Sequence, residues 1–93
     1  MSEQIEFYKK LKLSLEETTE FPTKYMFKFI IPTDDSKVLQ IENIFNYTGA
    51  VIDKKSSKTG KYISLTVLVQ MADADSIIVK YKEVSKVEGV ISL

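Results

Sequence analysis

Hydrophobic and polar positions alternate along this chain with a period that changes from one stretch to the next. Between residues 3 and 18, Ile5, Tyr8, Leu11 or Lys12, and Leu15 recur at helical spacing, with Glu6, Lys9, Lys10, Glu16 and Glu17 between them. That pattern predicts an amphipathic helix. Thr18-Thr19-Glu20-Phe21-Pro22 breaks it, because β-branched residues weaken a helix and a proline disfavours helical backbone at the residue before it. From Lys24 to Ile31 the period falls to two. Tyr25, Phe27, Phe29 and Ile31 take one face of a predicted strand, and Met26, Lys28 and Ile30 the other. Pro32 lacks an N–H and ends the strand. Thr33-Asp34-Asp35-Ser36 then offers side-chain acceptors for the free N–H groups of a helix start. Val38, Ile41, Ile44 and Phe45 form the helical stripe that follows, and Gly49 is placed to end it with left-handed backbone.

The second half repeats the scheme. Ala50–Ser56 reads as a strand, and Lys58-Thr59-Gly60-Lys61 as a hairpin turn with Gly60 at positive φ. Tyr62–Met71 is the longest strand. Ile63, Leu65, Val67 and Val69 face one way, and Tyr62, Ser64, Thr66 and Gln70 the other, with Leu68 out of pattern. Such alternation suits a sheet with one face on a core and one in water. Asp73-Ala74-Asp75-Ser76 starts a second helix with the stripe Ile77, Ile78, Tyr81 and Val84. Gly89 separates it from a terminal strand, Val90–Leu93.

The order strand–helix–strand–strand–helix–strand predicts an α+β, ferredoxin-like sandwich. Its four-stranded antiparallel sheet carries two helices on one face, and an extra helix precedes it. Residues 1–20 would form that helix and a linker, and residues 21–93 the domain. The first and third strands, the most apolar, should be central. The face bearing Ile63, Leu65, Val67 and Val69 should lie under the helices. The opposite face, with Lys28, Tyr62, Ser64 and Thr66, remains for partners or for the N-terminal helix.

Composition narrows the chemistry. The chain has 93 residues, 44% of them hydrophobic, with five Phe and five Tyr, enough for one core. Thirteen cationic residues balance thirteen acidic ones, so no global charge points to nucleic acid or an anionic membrane. All the cations are lysines, which removes the planar guanidinium clamp for phosphate or carboxylate. There is no Cys and no His, hence no disulfide, no thiolate, and neither the usual general base nor the commonest metal ligand. No catalytic residues, cofactor or metal are expected. The first residues lack the basic start and apolar core of a signal peptide, and no apolar run approaches the ~20 residues of a membrane span. A cytoplasmic location without membrane attachment is the expectation.

The candidate interaction surface is cationic. Lys54, Lys55, Lys58 and Lys61 cluster on the hairpin, where they either contact an anion or guard an edge strand against unwanted pairing. Lys28, Tyr62 and Ser64 share the open face. Tyr62 could stack a base, but Ser64 and Thr66 stand where further aromatics would help, and neutral charge without Arg argues against RNA. Gly60-Lys61 fails as a phosphate loop, since Lys55 stands where the first Gly belongs and Tyr62 replaces the Ser or Thr. Asp34-Asp35 and Asp73-Asp75 read as helix caps rather than catalytic carboxylates.

Phe21-Pro22 before the first strand, the run Ser57-Lys58-Thr59-Gly60-Lys61-Tyr62-Ile63-Ser64-Leu65-Thr66-Val67 and the closing Val90-Ile91-Ser92-Leu93 together resemble the YbeD-like family of small bacterial proteins of unknown function. The resemblance covers about residues 20–93. It implies a fold similar to ACT regulatory domains, which bind amino acids and control enzymes, and it implies no catalytic residues. The corresponding ligand loop, Pro32-Thr33-Asp34-Asp35, lacks the Gly that lets a ligand approach backbone closely. The resulting expectation is a non-enzymatic regulatory or protein-interaction domain. It would engage an unidentified protein partner or another copy of itself. A small-ligand sensor for amino acids or anions is the alternative, and an RNA-binding module comes after it.

Overall fold

The computed structural model describes residues 2–93, with side chains from Ile5 onward. Helix α1 (Ser2–Thr18) is followed by β1 (Thr23–Pro32), α2 (Asp35–Ile44), β2 (Val51–Ser56), β3 (Tyr62–Met71), α3 (Ala74–Val84) and a short β4 (Ile91–Ser92). The strands form one antiparallel sheet in the order β2-β3-β1-β4. The two aromatic- and β-branched-rich strands, β1 and β3, are central and pair along their whole length, from Thr23 opposite Met71 to Pro32 opposite Tyr62.

Period two decides which residues meet the helices. Phe27, Phe29 and Ile31 of β1 and Leu65 and Val67 of β3 are fully buried, together with Ile41 of α2 and Ile77 and Val84 of α3. Phe27 lies at the centre of an aromatic group, with ring centroids 5.8 Å from Phe29, 5.2 Å from Phe45 and 5.1 Å from Tyr81. Packing of this kind adds to the burial energy of each ring. No charged or polar residue is buried, and no buried side-chain polar atom lacks a partner, among the described residues.

Helix starts form where Asp and Ser cluster. Asp34 caps α2, its carboxylate accepting from the Ser36 N–H at 2.9 Å and hydroxyl at 2.7 Å. Asp73 caps α3, accepting from Ser76 at 2.8 and 2.7 Å. Each cap satisfies donors that the helix itself leaves free.

The end of α2 differs from the expectation placed on Gly49. The helix stops at Ile44, and residues 45–49 form turns. Gly49 does have φ +76°, but so does Tyr47 at +63°, and both lie beyond the helix. The last carbonyl is capped from another helix, since Lys80 Nζ of α3 donates to Ile44 O at 2.7 Å and stands 5.6 Å from the Phe45 ring centroid. A long-range cation therefore serves where a glycine cap was expected, consistent with the preference for cations at helix C-termini. The terminal strand is also shorter than Val90–Leu93: Ile91 and Ser92 stand in register with Ile30 and Phe29 of β1, and the Leu93 N–H donates to Lys28 O at 2.9 Å just past the strand's end.

Helix α1 packs on α3, not on the open sheet face. Leu15 joins the core and Leu11 is half-buried against it. Lys12 Nζ lies 3.0 Å from Asp75 Oδ1, and Lys82 Nζ is 5.3 Å from the Tyr8 ring centroid. No helix among the described residues is long and apolar enough to cross a membrane.

Candidate functional site

The face of the sheet turned away from the helices stays uncovered, and cross-strand register orders its side chains into rows. Val51, Leu68 and Met26 make an apolar row across β2, β3 and β1, exposed at 62%, 41% and 59%. Asp53, Thr66 and Lys28 form the next row, and Lys55, Ser64, Ile30 and Ile91 the one after. Tyr62 sits beyond them, opposite Pro32.

The last two rows and the hairpin enclose a shallow depression of about 580 Å³. Lys28, Lys55, Lys58, Tyr62, Ser64 and Ile30 line it, with Ser56 and Ser57 at the hairpin end. Five of the seven residues singled out from the sequence thus come together. Each has a backbone reason to be there. Lys28 falls between Phe27 and Phe29, so burying those two rings turns its ammonium outward. Gly60, at φ +73°, closes the hairpin that brings Lys58 over the sheet. That turn is fixed by Ser57, whose N–H donates to Tyr62 O at 2.8 Å and whose hydroxyl accepts from the Tyr62 N–H at 3.1 Å.

Lys54 and Lys61 lie outside the depression. Lys54 pairs with Leu65 across the strands and so points to the helix side, 3.6 Å from Glu42 Oε2 of α2. Lys61 contributes its carbonyl, which accepts from the Thr33 N–H at 2.9 Å. None of Lys28, Lys55 and Lys58 stands within ion-pair distance of a carboxylate among the described residues. Their charges are therefore available to a ligand without displacing an internal partner. The alternation that places Ile30 in the depression and Met26 beside it was visible in the sequence, as was the central position of β1 and β3, whereas the register that sets Leu68 in one row with Val51 and Met26 was not.

The acidic pairs make no second site. Hydrogen bonds from the Ser36 hydroxyl and then its N–H hold the Asp34 carboxyl below its usual value, and those from Ser76 do the same for Asp73. Asp75 bonds Lys12. Among the described residues no group of carboxylates is arranged to hold a metal ion.

A family model described as "Protein of unknown function (DUF493)" matches residues 16–93. The chain belongs to the DUF493 family. The match begins in the last turn of α1, at Glu16, and takes in the whole sheet, α2 and α3. The open face of the sheet therefore lies wholly within the DUF493 segment, whereas most of α1 precedes it. No curated protein and no solved structure matches the chain significantly.

Proposed function

We propose that this DUF493 chain is a non-enzymatic regulatory or protein-interaction domain. Its open sheet face would hold a partner segment that carries carboxylates beside apolar side chains. The observation that supports the reading is the pairing of three unpaired lysines, Lys28, Lys55 and Lys58, with the exposed row Val51, Leu68 and Met26 on one uncovered surface. Apolar contact supplies binding energy, and the lysines select the sign of the partner's charge. A ferredoxin-like, ACT-like and YbeD-like reading accords with the strand order β2-β3-β1-β4 and with the central position of β1 and β3. A protein partner fits better than RNA, because Tyr62 is the one aromatic side chain on this face among the described residues and Asp53 stands in the same row as Lys28.

The test is a comparison of partners captured from native lysate by the intact chain and by a Lys28→Glu/Lys55→Glu variant. Both side chains point to solvent, so the variant should keep the fold. A protein retained by the first and lost by the second supports the reading. A protein retained equally by both would remove the open face from the account.

A further inference from the structure

On the opposite side of the sheet lies a second cavity of different chemistry. It measures about 310 Å³ and sits where α1 crosses the end of the sheet. Phe7, Tyr8 and Leu11 of α1 form one wall, Tyr25 of β1 and Tyr81 of α3 the floor, and Leu93 the far rim. The depressions on the open face and between α1 and α3 are both lined by lysines. This one has no charged side chain in its lining, in a chain of which 28% is charged.

The polar groups present are hydroxyls. The Tyr25 and Tyr81 hydroxyls bond each other at 2.8 Å. In such a pair one phenol donates and the other accepts, so one proton and spare lone pairs stay available to a guest. Burial, with the Tyr25 hydrogen bond behind it, pushes the Tyr81 hydroxyl well above its usual value, so Tyr81 keeps its proton across the physiological range. The Ser85 hydroxyl is spent on Lys82 O at 2.7 Å. Apolar cavities of about 150 Å³ already hold benzene in proteins, so twice that volume admits a substituted ring.

The geometry points to a binding site for a small, neutral molecule with a flat apolar body and one hydrogen-bonding oxygen, seated under α1 on the Tyr25–Tyr81 pair. An anionic ligand is disfavoured, since no lysine lines this cavity to pair with it, whereas lysines line the other two depressions. Three lining residues come from α1, so occupancy fastens that helix to the sheet. The site thereby couples a metabolite to the position of a surface element, independently of what the open face binds.

The test uses the full isotope-labelled chain titrated with p-cresol and, separately, with benzoate, followed by amide chemical shifts. Saturable p-cresol binding should move amides at Leu11, Tyr25, Tyr81 and Ser92, and slow hydrogen exchange in α1. Benzoate should bind more weakly than p-cresol, because no lysine in the lining pairs with its carboxylate. Tyr81→Phe should weaken p-cresol about three- to tenfold, the value of one hydrogen bond. Leu11→Trp and, from the opposite wall, Ser92→Phe fill the cavity. Either variant, once shown to keep native shift dispersion, should abolish saturation. Scattered non-saturating shifts, benzoate binding as tightly as p-cresol, or undiminished p-cresol binding in a folded cavity-filling variant would overturn the site.

Discussion

Two leucines two positions apart on α1 test whether that helix is part of the folded domain. Leu15 is 8% exposed and belongs to the core, whereas Leu13 is 59% exposed. Leu→Ala at either position changes helix propensity by the same small amount, so the difference between the two variants isolates burial. Truncating a buried leucine removes transfer free energy and leaves a cavity, and for a residue at the core margin the cost is about 2–3 kcal/mol. Truncating the exposed one should stay within about 0.5 kcal/mol. In a domain of this size the former corresponds to a melting temperature lower by about 8–24 °C. Urea titration followed by circular dichroism, with the slope of the transition unchanged, measures both variants. The loss at Leu15 cannot exceed the free energy that holds α1 to the body, because a helix already detached no longer feels the substitution. Equal midpoints for Leu13→Ala and Leu15→Ala would show that α1 does not dock, and would also remove one wall of the cavity under it.

Four further outcomes follow from the same structure. Tyr47 has φ +63° with its side chain fully in solvent, so Tyr47→Gly should stabilise the fold by about 1 kcal/mol in chemical denaturation, through relief of left-handed backbone strain. Gly60→Ala should cost about 1–2 kcal/mol from backbone alone, since a Cβ there meets nothing within 4 Å. Gly89→Ala should cost more, because its Cβ would stand 3.1 Å from Pro32 Cγ as well as at positive φ. The Asp34 and Asp73 carboxyls lie below their ordinary value of 3.8 in the folded state. Their contribution is therefore complete above that value and is lost as pH falls through the lower folded-state value. An Asp34→Asn/Asp73→Asn variant should accordingly show a shallower loss of urea midpoint on acidification than the parent.

The elements that could be read from the sequence are those whose signal is local. Asp34 and Asp73 cap helices because a short acceptor side chain meets free N–H groups within three residues, and no distant contact is needed. The alternation of Phe27, Lys28 and Phe29 sets the faces of β1 for the same reason. What could not be read depends on partners far along the chain. The last carbonyl of α2, at Ile44, accepts from Lys80, thirty-six residues later, and the left-handed residue that follows the helix is first Tyr47, a residue type that does not announce such backbone, and only then Gly49. The docking of α1 on α3 rests on Leu15 and on Lys12 meeting Asp75, a separation of sixty-three residues. Nothing in the helical spacing of Ile5, Tyr8, Leu11 and Leu15 says which side of the sheet it will find. Lys54 and Lys55 are adjacent and identical in sequence, yet the pleat sends one to Glu42 and the other to the open face.

That last pair carries the link between core and site. A one-residue shift in the pairing of β2 with β3 would exchange the two lysines and turn Ile52 out to water. A similar shift in β1 would bring Lys28 into the space now held by Phe27 and Phe29, both fully buried. The aromatic packing that makes such slips costly is therefore what keeps Lys28 and Lys55 on one surface with Tyr62 and Ser64. Single substitutions at the lysines should leave the fold intact, since each points to solvent. Substitutions at Phe27 or Phe29, which never touch the depression, should disturb its geometry first through register.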